Sequence, residues 1–97
     1  MLNFLSDLKI DNDVIEDIKN NYPINIIYSL EANSLEIEKI INYFRKIKID
    51  VINELLVFNL TIFLLTFKEV KETFEKYDID ELVAKINDDY MYIEQIF

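Results

Sequence analysis

Cysteine and histidine are both absent from this 97-residue chain, and so is glycine. Without cysteine there is no disulfide framework and no thiolate metal site. Losing histidine as well removes Ser-His and Cys-His nucleophilic systems and the two best ligand types for zinc. Without glycine, no phosphate-cradling loop of the P-loop or dinucleotide type can form. Every turn must also do without the one residue that adopts positive φ at no steric cost. Asn20, Asn21, Asn59 and Asn87 are the expected substitutes, because asparagine tolerates the left-handed region best after glycine. The single proline is Pro23. The longest greasy stretch, Leu55 to Phe67, is 13 residues and is interrupted by Asn59, Thr61 and Thr66. A membrane span needs about 20 residues, so this stretch is expected in a core, and no membrane partner is expected. The start, MLNFLSDLKI, has no basic n-region and meets an acid at Asp7, so it does not read as a signal or transit peptide.

What remains is apolar, aromatic and acidic. An apolar fraction of 52% with 13% aromatics argues for one packed domain spanning residues 1–97. The formal net charge of −9 is unevenly spread along the chain. Residues 1–38 and 69–97 each carry a net −6, while residues 39–68 carry +3 through Lys39, Arg45, Lys46, Lys48 and Lys68. So negative a molecule repels phosphate backbones and suits a basic partner.

The chain also repeats itself. LNFLSDLKID (Leu2 to Asp11) returns as INYFRKIKID (Ile41 to Asp50) and, more faintly, as KETFEKYDID (Lys71 to Asp80), at offsets of 39 and 30 residues. Each copy runs into a second apolar segment. Three units are expected, roughly residues 2–30, 34–67 and 70–97. Each would be a helix, an Ile-Asp turn, a second helix and a short third helical segment. Repetition at this period is the signature of an all-α, solenoid-like array in which units bury their faces against neighbours.

Local signals agree. Leu2, Leu5 and Leu8 make one stripe, and Asp11 to Asp13 offer caps for a helix with Val14, Ile15 and Ile18. Asn33 and Glu36 have the spacing of a capping box for a helix over Ser34 to Ile47. Ile37, Ile40, Ile41, Phe44 and Ile47 give that helix the strongest periodicity in the chain. Asp50 is expected to cap the next helix, and Asp78 with Glu81 a later one. PINIIY is the one β-branched run that would admit a strand.

The stretch YPINIIYSLEANSLEIEKIINYFRKIKID resembles the repeat of the mitochondrial transcription termination factor (mTERF) family. Pro23, Ile26, Ile27, Leu30, Ile37, Ile40, Ile41, Phe44, Ile47 and Ile49 occupy matching places. Leu55, Leu56, Leu60, Phe63, Leu64, Val70, Phe74 and Ile79 carry the likeness onward over about 90 residues. The family's glycine is replaced here by Lys9, Lys48 and Asp78, and its proline survives in one unit only. The resemblance implies a helical-repeat fold and, as an alternative function, nucleic-acid binding through Lys39, Arg45, Lys46 and Lys48.

No catalytic, cofactor-binding or metal-ligating residue is expected. Asp11, Asp13 and Asp17 fail the EF-hand pattern, since its sixth position is Glu16 and its twelfth Tyr22. A carboxylate-dependent enzyme needs a substrate-sized cleft that so short a chain seldom builds. The sequence therefore points to a non-enzymatic interaction module, an adaptor or an inhibitor masking a basic site on a protein partner. Candidate contacts are Glu72, Glu75 and Asp78, with Tyr90, Tyr92, Ile93, Ile96 and Phe97 at the open end of the third unit. Those terminal residues either fold back as a closing helix or form an interface, a homodimer included.

Overall fold

Seven α-helices and two 3₁₀ helices account for the regular structure, and there is no strand. A computed structural model describes all 97 residues. In order the elements are α1 (Asn3–Asp7), α2 (Asn12–Asn21), α3 (Ile24–Ala32), α4 (Ser34–Lys46), α5 (Ile52–Phe58), η1 (Leu60–Leu64), α6 (Phe67–Glu75), α7 (Ile79–Asp88) and η2 (Tyr90–Gln95). PINIIY enters α3 rather than a strand. Pro23 holds the extended residue before it, and Ile27 and Leu30 bury one face.

Two of the three Ile-Asp turns share one geometry. At the end of α1 the Lys9 N–H donates to Ser6 O (3.0 Å) and the Ile10 N–H to Leu5 O (3.0 Å). At the end of α4 the Lys48 N–H donates to Arg45 O (3.1 Å) and the Ile49 N–H to Phe44 O (2.9 Å). This is the Schellman pattern, with the left-handed residue held between crossed hydrogen bonds and an apolar clasp closing it. Leu5 clasps Ile10 and Phe44 clasps Ile49, all four buried. Lys9 (φ 67°) and Lys48 (φ 73°) take the left-handed conformation, not the asparagines; Leu2 (φ 66°) is the remaining such residue. A lysine there costs about 1–2 kcal/mol relative to right-handed backbone, which the clasp and its two hydrogen bonds offset. The third copy departs from this pattern. Asp78 has φ −67° and caps α7 by accepting the Glu81 N–H at 3.1 Å.

Cap chemistry elsewhere is partly long-range. Asn33 precedes α4 but makes no side-chain cap; its Nδ2 donates back to Ser29 O at 2.7 Å. Asp50 likewise yields the cap position to Val51, and its N–H donates to Asn87 Oδ1 at 2.9 Å. Asn87 Nδ2 completes the bridge by donating to Lys48 O at 3.0 Å, so one α7 side chain straps the second left-handed turn.

Packing joins α2 to α5, α4 to α6 and α3 to η1. A single core of 25 buried apolar side chains runs through all of them. Around α4 an aromatic cluster links this helix to η1 and α6. Phe44 lies 5.8 Å from Phe63 and 5.3 Å from Phe74, and Tyr43 lies 5.7 Å from Phe67 and 6.0 Å from Phe74. Three of these four contacts are edge-to-face, the arrangement the ring quadrupoles favour. The radius of gyration, 12.8 Å, is close to the ~12.5 Å expected of a globular chain of this length, so the helices close on one another instead of extending.

Lys48→Gly should leave stability unchanged or raise it by up to about 1 kcal/mol, because relieved left-handed sterics outweigh the added unfolded-state freedom. Lys48→Val should lower it by more than about 1 kcal/mol, since a β-branched residue resists positive φ. Asn59→Gly, at a position with φ −129°, should bring no gain. Urea midpoints at constant m-value distinguish these outcomes. Phe44→Ala should cost about 3–5 kcal/mol in the same assay.

Candidate functional site: two helix-pair grooves of opposite charge

Sorting the charges by element gives a different map from sorting them by thirds of the chain. The second helices with their leading turns, residues 11–21, 50–58 and 78–88, hold ten acids and two lysines, a net −8. The first helices, residues 3–9, 34–48 and 67–76, hold six acids and eight bases, a net +2. The remaining three acids are Glu31, Asp89 and Glu94. Nearly all of the net charge thus belongs to α2, α5 and α7.

Where α2 meets α5, a shallow groove of about 200 Å³ is lined by Val14, Asp17, Asn53, Glu54, Val57 and Phe58. Tyr22 fixes this pair of helices by donating its hydroxyl to Val57 O at 2.6 Å. Phe58 is 60% exposed, yet its ring is not loose: Tyr90 stacks on it at 5.4 Å with an interplanar angle of 18°. An exposed aromatic held in place by another, beside carboxylates, is a preorganised contact residue.

The α4–α6 pair forms the other groove. Lys39, Asn42, Tyr43 and Lys46 of α4 face Phe67 and Lys71 of α6 around about 320 Å³. Their relative placement depends on how α6 begins. Thr66 Oγ1 accepts the Glu69 N–H at 3.1 Å, and the Glu69 carboxylate reaches back to the Thr66 N–H at 3.4 Å. Glu36 of α4 adds a cap from outside the helix, its Oε1 accepting the Phe67 N–H at 3.0 Å. The local capping box expected for Glu36 is therefore not made; the carboxylate joins two helices instead. The Phe67 N–H holds the Glu36 carboxyl below the usual glutamate range, assisted by Lys39 at 3.4 Å and opposed by partial desolvation. Burial, reinforced by the Glu75 carboxylate, pushes the Tyr43 hydroxyl up, so it stays protonated at neutral pH.

The expected nucleic-acid residues divide between two surroundings. Lys39 and Lys46 line the α4–α6 groove, whereas Arg45 and Lys48 are exposed outside it. All three ion pairs lie within single helices, Lys19–Glu16, Lys39–Glu36 and Lys85–Glu81, so Arg45, Lys46, Lys48 and Lys71 are unpaired. Lys71 is a groove residue that the sequence reading missed. The Lys39–Asn42–Tyr43–Lys46 spacing marks one α4 strip, but only the fold brings α6 to it.

The expected protein-contact residues also separate. Glu72 and Glu75 are exposed on α6 among its lysines, and Asp78 serves as a helix cap. Tyr92 lies beneath Lys85 Nζ, 5.4 Å from the ring centroid, where the hydrogen bond that Lys85 donates to the Glu81 carboxylate raises the lysine pKa. At the open end, Ile93 is fully buried and Ile96 half-buried, because η2 folds back onto α7. Ile93 therefore offers no contact surface. Phe97 keeps an exposed edge while approaching Phe74 at 6.2 Å.

Asn59, the one buried polar residue, ties α5 to η2 by donating from Nδ2 to Glu94 Oε1 at 2.9 Å. No group of three acidic side chains converges where it could hold a metal ion, and no helix is long and apolar enough to cross a membrane. No protein-family model, curated protein or solved structure matches the chain.

Glu36 makes a pH prediction. Its folded-state pKa lies below the unfolded value, so the unfolded chain binds more protons on acidification. The stabilisation is complete above the ordinary glutamate range, near pH 4.3 for a model peptide, and is lost as pH falls through the folded value. Glu36→Gln should therefore be less stable than wild type near pH 7, with the gap closing as pH falls below the ordinary glutamate range. A gap that does not change with pH would show that the Phe67 contact is not made by an ionised carboxylate.

Proposed function

We propose that this chain is a non-enzymatic protein-interaction module of short helical-repeat form that docks a basic partner on its α2–α5 surface. The observation that carries the proposal is the net −5 of residues 11–21 and 50–58, six acids against Lys19, around an apolar groove where Phe58 is stacked on Tyr90. Asp17 and Glu54 line the groove, and Asp13 lies one turn from Asp17 on α2. Such a field steers a basic surface into encounter, while the Phe58–Tyr90 stack supplies the apolar anchor that charge alone does not. A standard interface takes about 800 Å² from each partner, a modest share of the 5791 Å² this molecule exposes. The role this suits is that of an adaptor or of an inhibitor covering a basic site.

Two features support the helical-repeat reading and, with it, the mTERF-like resemblance. Corresponding elements of adjacent units pack together, and two of the three positions aligned with the family's glycine adopt the left-handed backbone that glycine would favour. The charge distribution argues for a protein over nucleic acid. Lys39 and Lys46 turn into a groove away from Arg45 and Lys48, so no continuous basic track follows residues 39–68.

Affinity capture from the protein's own cells, with and without nuclease, tests the proposal. A nuclease-resistant partner should be retained by wild type and lost on combining Asp17→Lys, Glu54→Lys and Phe58→Ser, a set that leaves the buried core intact. Association with the purified partner should slow by at least about tenfold between low and high salt. Capture that disappears with nuclease, or that survives the triple change, would contradict the proposal.

A further inference from the structure

The α4–α6 groove is a concave surface on which three lysines, Lys46 and Lys71 unpaired and Lys39 paired with Glu36, surround an apolar floor, within a molecule that is acidic as a whole. Lys39 and Lys46 stand seven residues apart on α4, about 10.5 Å along the helix axis, with Asn42 and Tyr43 between them. Lys71 projects from the opposite wall, and Phe67 meets Tyr43 edge-to-face at 5.7 Å to close the floor. Two carboxylates bound the site: Glu36 is committed to the Phe67 N–H and Lys39, and Glu75 lies near the Tyr43 hydroxyl. We infer that this groove docks an acidic amphipathic helix of a partner protein. Carboxylates seven residues apart on such a helix have the same ~10.5 Å spacing as Lys39 and Lys46, and the apolar strip between them covers Tyr43 and Phe67.

Charge complementarity fixes the sign of the occupant, and the boundary carboxylates fix its class. A duplex presents one phosphate charge per about 1.7 Å, which would force repulsion at Glu36 and Glu75. Isolated carboxylates on a helix can be spaced to avoid both. The inference stands apart from the basic-partner surface, since the residues lie on different helix pairs and each can fail alone. If both hold, the module bridges two partners of opposite charge.

The test uses a fluorescein-labelled synthetic helix of about 15 residues, Glu at i and i+7 with Leu and Phe at i+3 and i+4, read by anisotropy. The expected result is saturable binding that weakens at least tenfold, by the usual scale of paired-charge loss, in the Lys46→Glu/Lys71→Glu variant. Both lysines are exposed and unpaired, and circular dichroism confirms that the variant folds. Lys9→Glu/Lys76→Glu, outside the groove, should bind as wild type does, and a Glu→Gln version of the peptide should bind no better than the groove variant. The inference is overturned by no saturable binding below about 1 mM, by equal loss in the outside variant, or by tight binding of the Gln peptide. Tighter binding of an oligothymidine of similar length, lost in the groove variant, would likewise replace it with a single-strand site.

Discussion

Phe44 meets two demands at once, and the arrangement of the rest follows from them. Its carbonyl accepts the Ile49 N–H that closes the left-handed turn at the end of α4, and its ring packs on Phe63 and Phe74 from the next elements. A non-glycine residue at positive φ is tolerated only where its surroundings over-determine it. Here the over-determination is the Phe44–Ile49 clasp on one side and the Asn87 strap on the other. With Lys48 held so, the chain leaves α4 and enters α5 in a fixed direction. The Leu5–Ile10 clasp does the same between α1 and α2. A chain without glycine thus makes its sharpest turns by burial.

Those turns determine where charge ends up. First helices and second helices occupy different positions in the packing, and the acids follow the second set. The overall −9 is therefore a poor guide to any one surface. A basic partner would meet α2 and α5, while the α4–α6 groove presents three lysines to whatever approaches it. Between them lies a core with almost no polar content, Asn59 excepted.

Much of the fold was legible in the sequence wherever apolar spacing decided the outcome. Ile37, Ile40, Ile41 and Phe44 could only be one buried face of a helix, and α4 is within a residue of its expected bounds. Val14, Ile15 and Ile18 of α2 were equally plain. The misreadings share one cause, local rules overridden by distant partners. Glu36 had the spacing for a capping box but found the Phe67 N–H, 31 residues away. Asn59 and Asn87 looked like left-handed candidates, yet they serve as long-range donors and acceptors while Lys9 and Lys48 take the strained backbone. Ile-Asp occurs in all three copies, but Asp78 can cap α7 directly, and so the third turn needs no left-handed residue. Of the two grooves, the sequence showed Lys39 and Lys46 on α4; Lys71, the acids gathered on α2 and α5, and the Phe58–Tyr90 stack required the fold.

Amide hydrogen exchange at Ile10 and Ile49 tests this account most directly. If buried clasps hold the left-handed lysine turns, both amides should exchange only through global unfolding, with protection matching the core amides of α4. The Tyr77 amide, at the third and differently built turn, should exchange through local opening and be less protected. Protection at Ile10 and Ile49 no greater than that of frayed helix ends would mean that the turns are not closed, and that neither the packing order nor the separation of charge rests on them.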